Sequence, residues 1–161
     1  MALQCAEQMK VDLGYGMSCP YRAQEWRKRT EHMASILICD EDPLFTLSLR
    51  RQLMDDGYRV EVTERAGEAI RHILSEQVDV VVLGIRTVGM SGLEALPIVN
   101  QIDPSLPVIL VADDERLETE QAARRSKIFY YLVKPVDLRE LRDAVRQAVS
   151  HAVGHEQGDH T

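Results

Sequence analysis

The stretch VDVVVLGIRTVGMSG, Val78 to Gly92, decides the fold. Val80, Val81, Val82 and Leu83 follow one another without polar interruption and are mostly β-branched, the signature of a short strand covered on both faces. A strand of that kind belongs inside a parallel sheet with helices above and below it. The run then ends on Gly84, so the side-chain position at the strand's end is bare. The loop that follows, IRTVGMSG, holds a serine, Ser91, that reads as a turn or N-cap residue.

The same alternation of strand and helix extends outward on both sides. SILIC (35–39) is another continuous apolar run, and Asp42-Pro43 after it suit an N-cap and first helical position. Phe45, Leu49 and Leu53 repeat at helical spacing until Gly57. YRVEV (58–62) alternates as a second strand, and Ala66, Ala69, Ile70, Ile73 and Leu74 form the next helical stripe. Beyond the central strand, Leu93 to Ile102 predict a helix in which Pro97 imposes a kink or a late start. PVILVA (107–112) and FYYLV (129–133) are strands, separated by a polar helix over 115–125. Leu138, Leu141, Val145, Ala148 and Ala152 mark a final amphipathic helix. Five strand–helix units predict an α/β fold: a flavodoxin-like, doubly wound five-stranded parallel sheet in three layers. Residues 34–153 form the domain. Residues 1–33 read as an N-terminal extension, disordered or weakly helical, and 154–161 as a polar tail.

Charge and composition narrow the functions. Of the 19 basic and 26 acidic residues, residues 35–161 hold 14 and 22, so the domain carries a formal charge of −8 while residues 1–34 carry +1. Such a domain repels a phosphate backbone, and no DNA partner is expected. Cys5, Cys19 and Cys39 lack metal-ligand spacing and are odd in number, which suits a reducing, cytoplasmic setting, with Cys39 a buried, inert thiol. No segment is apolar enough to span a bilayer, and the N-terminus lacks the apolar core of a signal peptide.

In an open parallel sheet, reactive groups gather past the carboxyl ends of the strands. Those ends deliver Asp40-Glu41-Asp42 after the first strand, Gly84 at the third, Ala112-Asp113 at the fourth and Lys134-Pro135 at the fifth. Adjacent carboxylates facing a lysine suit a hard divalent cation and a phosphoryl group. A nucleotide or flavin would need a glycine-rich turn after the first strand, where this chain places three carboxylates.

The succession ILICDEDP, LGIRTVGMSGLEAL, PVILVAD and YLVKPVDLREL resembles the CheY-like receiver domains of bacterial response regulators, over roughly residues 34–153 and in the family's order and spacing. The resemblance implies an acidic pair for Mg²⁺ at Asp40 and Glu41, a lysine at Lys134 that reads the phosphoryl group, a switch aromatic at Tyr131, and a cis peptide before Pro135. It also implies a phospho-acceptor aspartate on the third strand and a Thr or Ser on the fourth. Here those positions hold Gly84 and Ala112, and Thr87-Val88 stand where Met-Pro is usual.

An acyl phosphate needs a carboxylate nucleophile, which glycine does not supply. With one carboxylate ligand gone, no cofactor is expected beyond weak or absent Mg²⁺ binding at Asp40 and Glu41. Asp79 begins the strand about 16 Å from Gly84 and is out of reach. Asp113 is read as a cap for the following helix, Ser91 as a turn or N-cap residue, and Arg86 as solvated or as a second cation at the rim. Lys134 is expected to pair permanently with Asp40, with Glu41 its only other local partner.

The implied function is an atypical receiver in two-component phosphorelay signalling, not an enzyme. It would be phosphorylation-independent and act through protein contacts, with a receiver phosphorylated at a non-standard residue as the alternative. The expected partner is a protein, either a histidine kinase or another response regulator. A homodimer could form through the fourth helix, fifth strand and fifth helix. Tyr131, Glu118, Arg124, Arg139 and Arg142 are assigned to that face. With no output domain after residue 153, signalling would pass through the partner.

Overall fold

The computed structural model describes residues 33–158. The expectations for residues 1–32 lie outside the described residues. Five strands, β1 Ser35–Cys39, β2 Arg59–Thr63, β3 Val80–Gly84, β4 Val108–Ala112 and β5 Tyr130–Val133, alternate with five helices, α1 Pro43–Asp55, α2 Ala66–Ser75, α3 Gly92–Ile102, α4 Leu117–Arg124 and α5 Leu138–Gly158. The strands are all parallel, in the order β2-β1-β3-β4-β5, which is the doubly wound flavodoxin-like sheet the periodicity predicted.

The two faces of the sheet are sorted residue by residue. Ile36, Ile38, Val80, Val82, Ile109 and Val111 face one core with Leu49 and Leu53 of α1 and Leu141, Val145 and Ala148 of α5. Leu37, Cys39, Val81, Leu83, Val108 and Leu110 face the other, with Ala66 and Ala69 of α2, Ala95, Leu96 and Val99 of α3 and Ala123 of α4. Successive strand residues point to opposite faces, so a strand covered twice must be apolar throughout. The unbroken VVVL run meets that demand.

Local signals set several boundaries. Asp42 caps α1, its side chain accepting from the amides of Leu44 and Phe45, and Pro43 sits in the first turn. Ser91 caps α3 by accepting from the Glu94 amide. α3 begins at Gly92 with Pro97 inside it, so the proline does not delay the helix. α5 runs on to Gly158, so residues 154–158 of the expected polar tail are helical and only 159–161 fall outside the described residues. Leu74, assigned to the buried stripe of α2, is 67% exposed, one position past the end of the face that Ala66, Ala69, Ile70 and Ile73 bury. Among the described residues no helix is long and apolar enough to cross a membrane.

Candidate functional site

The carboxyl ends of β1, β3, β4 and β5 converge at one edge of the sheet. β1 delivers Asp40, which is only 2% exposed although charged. Its amide reaches the Thr63 carbonyl of β2 at 3.2 Å, and its Oδ1 accepts from the Asp42 amide at 2.8 Å. From β5, Lys134 is anchored by its backbone amide to the Ala112 carbonyl at 2.8 Å. Its Nζ donates to Asp40 Oδ1 at 3.1 Å and lies 3.0 Å from Oδ2. The Lys134–Pro135 peptide is cis.

Two further carboxylates surround the ammonium. Asp113 Oδ1 stands 3.4 Å from Nζ and Asp42 Oδ2 stands 3.8 Å away, while the Phe45 ring lies 4.8 Å below it. Asp113 therefore does not cap α4. The N-cap there is Arg116, with no side-chain bond to the helix, and Asp114 accepts the Arg116 amide instead. Asp113 also faces Arg86, 3.9 Å away and largely exposed, which places that arginine at the rim. Glu41 points outward and makes no ion pair with Lys134 in the structure; its amide is held by the Arg86 carbonyl at 3.0 Å. Glu41, Asp42, Glu64, Arg86, Val88, Asp113 and Lys134 line an open cleft of about 380 Å³.

Burial pushes the Asp40 carboxyl above its ordinary value, against the pull of the Asp42 amide and the Lys134 ammonium. Burial alone would lower the Lys134 ammonium, yet Asp40, with Asp113 behind it, holds it above its ordinary value. Three carboxylates within 4 Å of the one ammonium favour its charged form. Cys39, just before this cluster, is pushed up to about 12 by burial and by the neighbouring Asp40 and Glu68 charges, so it is inert as a nucleophile.

Gly84 closes β3 directly beneath Asp40. A Cβ built on Gly84 would lie 2.1 Å from Asp40 Oδ2 and 2.7 Å from its Cγ, so the aspartate carboxyl fills the volume a side chain would take. A Cβ on Gly92 would lie 2.1 Å from the Gly84 carbonyl oxygen, and the Gly92 amide donates to the Ile85 carbonyl at 2.9 Å. The start of α3 thus presses its backbone onto the end of β3, an approach only glycine allows. Ala112, fully buried at the end of β4, brings only a methyl group to this edge.

This arrangement does not fit the divalent cation that the resemblance implies. Asp40 is engaged by Lys134 and by the Asp42 amide, Glu41 points to solvent, and among the described residues no three acidic, histidine or cysteine side chains are grouped to hold a metal.

Tyr131 packs against the core on the α2–α4 side. Its hydroxyl is buried without a hydrogen-bond partner among the described residues, and burial raises its pKa. The exposed ring is the neighbouring Tyr130, whose hydroxyl donates to Glu140 at 3.1 Å. Arg142, assigned to the face of α4, β5 and α5, instead forms a two-pronged pair with Asp56 after α1 (Nε to Oδ2, 2.7 Å). Phe45 and Gly92 are contributors that sequence reasoning did not bring to the pocket, and Asp42 and Asp113, which it placed at the strand ends and read as helix caps, also face Lys134. Asp113 follows β4 as directly as Lys134 follows β5, and that shared edge sets it against the ammonium.

The profile of the response regulator receiver domain family matches residues 36–146. Among curated proteins, the chain is similar to transcriptional regulatory protein GlrR of Escherichia coli (strain K12), 31% identical over 120 residues, which are 74% of this chain and 26% of that protein. It is also similar to DNA-binding transcriptional regulator NtrC of Escherichia coli (strain K12), 32% identical over 116 residues, 72% of this chain and 25% of that protein. The chain thus spans about a quarter of the length of the curated relatives it matches. Among solved structures, a CheY-like response regulator receiver domain protein from Methanospirillum hungatei JF-1 superposes with a TM-score of 0.72 at 26% identity, covering 76% of this chain and 98% of that one. The signal receiver domain of an HD domain-containing protein from Pseudomonas fluorescens Pf-5 gives the same TM-score, 0.72, and the same coverages, 76% and 98%, at 29% identity. With that profile and the strand order in agreement, the chain belongs to the response regulator receiver domain family, a module of two-component signalling and not a catalytic enzyme.

Proposed function

We propose that this receiver works without phosphorylation, as a protein-interaction module within a two-component pathway. One observation carries the reading: the Asp40 carboxyl occupies the volume above Gly84, the position to which the family resemblance assigns the acceptor carboxylate. No nucleophile is present there, and Ala112 offers no hydroxyl to hold a phosphoryl oxygen. Lys134, the residue assigned to reading a phosphoryl group, is spent on Asp40 and Asp113. The partner is a protein, a histidine kinase or another response regulator. The contact face of α4, β5 and α5 offers exposed Leu117 and Tyr130 beside Glu118, Arg124 and Arg139, and it could also pair two copies of the chain. Apolar side chains ringed by mixed charge suit a specific contact of modest size.

One observation favours a second reading. Asp113 lies in the pocket, 3.4 Å from Lys134, so a carboxylate is present near the ammonium although not on β3. Incubation with acetyl phosphate and Mg²⁺, followed by intact mass, separates the two. The first reading predicts an unchanged mass. A hydroxylamine-labile gain of one phosphoryl group that disappears in Asp113→Asn would establish the second.

A further inference from the structure

We infer that the loop between β3 and α3 is a strap fastened across the carboxyl edge of the sheet, with Thr87 and Val88 as its latch. It borders the cleft described above, but the inference rests on main-chain bonds and not on the proposed function. β1 lies between β3 and β2 in the sheet, so a chain that runs from β3 to β2 must cross the end of β1. The loop does so. Val88 forms a parallel bridge with Arg65, the residue before α2, and its amide donates to the Glu64 carbonyl at 2.8 Å. On the way, the Arg86 carbonyl accepts from the Glu41 amide at 3.0 Å, just past β1. At the root of the loop, the Ile85 amide donates to the Val111 carbonyl of β4 at 2.9 Å. Residues 85–91 are thus bonded to the chain at the ends of β1, β2 and β4.

The latch is made by two residues at which this chain departs from the family resemblance, Thr87 and Val88 in place of Met-Pro. A proline has no N–H to donate to Glu64, and a methionine has no hydroxyl. Here the Val88 amide makes the bond to Glu64, and the Thr87 hydroxyl donates to the Met90 carbonyl. The second bond closes the turn around Gly89, whose φ of 84° suits a glycine. Val88 is half-buried and β-branched, which favours the extended backbone that a bridge requires. Both departures therefore add a hydrogen bond that holds the loop down.

The strap has two consequences. Glu64 and Val88 both line the cleft, so the latch sets the position of that wall. Arg65 caps α2 without a side-chain bond to the helix, so the bridge to Val88 ties the start of α2 to the loop that leads into α3. Loops bonded to one another open together and not one by one. The loops after β1, β2 and β3 therefore form one cooperative unit, held in a single arrangement, and Glu41 reports on it although it belongs to a different loop from Val88.

The test is amide hydrogen exchange of the full chain, read residue by residue in ¹H–¹⁵N spectra. In wild type the Val88 and Glu41 amides should exchange about 100-fold more slowly than in an open chain. Val88→Pro removes the donor and should speed exchange at Glu41 by about fivefold, the factor a hydrogen bond of this kind supplies. Val88→Ala keeps the amide and should leave Glu41 as in wild type. Thr87→Val removes the hydroxyl alone and should speed exchange at Val88 by about threefold. An unprotected Val88 amide in wild type overturns the inference, as does a folded Val88→Pro in which Glu41 exchanges as in wild type. If Val88→Pro does not fold, Thr87→Val decides, and an unchanged rate at Val88 overturns the inference. A phosphoryl group in the intact mass would end the functional reading above without touching this one. Fast exchange at Val88 would end this one while leaving Gly84 without a nucleophile.

Discussion

Two ion pairs tie distant parts of this domain together, and they differ in their surroundings. Lys134 and Asp40 have side chains 16% and 1% exposed, whereas Arg142 and Asp56 are 31% and 20% exposed. Each joins residues more than eighty positions apart. The outer pair connects α5 to the end of α1 in a setting where water competes for both partners, so its contribution is small. The inner pair sits where an unpaired charge has no solvent to retreat to, so it dictates which arrangement of the pocket exists at all. Geometry alone would rank the outer pair higher, since it is two-pronged. Burial reverses the order.

The largest effect should come from cutting the inner pair on the lysine side. Lys134→Met leaves Asp40 buried and unpaired and should cost about 3 kcal/mol of unfolding free energy in chemical denaturation at neutral pH. That loss should shrink in acid, where Asp40, already raised by burial, takes up a proton and no longer needs a partner. Wild type should respond at the other end of the scale. The Lys134 value is raised in the folded state, so the pair's contribution is intact below the ordinary value of 10.5 and lost as pH climbs through the raised one. A stability profile that is flat through that alkaline range would contradict the pairing.

Next come the two glycines that let the pocket close. Gly92→Ala would press a methyl onto the backbone carbonyl of Gly84, which cannot yield without moving β3 or α3, and should cost about 2 kcal/mol. Gly84→Ala meets the Asp40 side chain instead, which can swing aside only by loosening its bond to Lys134, and should cost about 1–2 kcal/mol. Combining Gly84→Ala with Lys134→Met should cost less than the sum, because both act on the position of Asp40. Strict additivity would mean that Asp40 does not link them.

The smallest effect belongs to the outer pair. Asp56→Asn should lower the midpoint of thermal unfolding less than any pocket variant. Arg142 holds the Asp56 carboxyl below its ordinary value, so the pair contributes above pH 3.8 and fades as pH falls through the lowered value. Wild type and Asp56→Asn should therefore differ slightly at neutrality and converge in strong acid. A difference as large as that of Lys134→Met would undo the contrast between the two pairs.

Much of this was legible in the sequence, for local reasons. Runs such as VVVL and VILVA specify a strand covered twice. Asp42-Pro43 and Ser91 announce helix starts with their own side chains, and Asp40 and Lys134 both fall at the carboxyl edge of one parallel sheet. What escaped depends on which of several nearby partners a side chain takes. Asp113 had a plausible local task as a helix cap but turned to Lys134. Arg142 looked like part of a contact face, yet Asp56 lies within its reach only because α1 and α5 pack side by side. The seating of Asp40 over Gly84 was hidden for the same reason, since an absent side chain does not announce what fills its place.

The account rests on Asp40 and Lys134 filling the pocket in which a phosphoryl group and its metal would meet. A crystal structure of the full chain, grown with millimolar Mg²⁺ and beryllofluoride as a mimic of an acyl phosphate, tests this most directly. The account predicts Lys134 on Asp40 with the Asp40 carboxyl over Gly84, and neither ion nor mimic in the cleft. A beryllofluoride adduct on Asp113, or on any carboxylate at this edge, with Mg²⁺ beside it and Lys134 drawn to the fluorides, would contradict it.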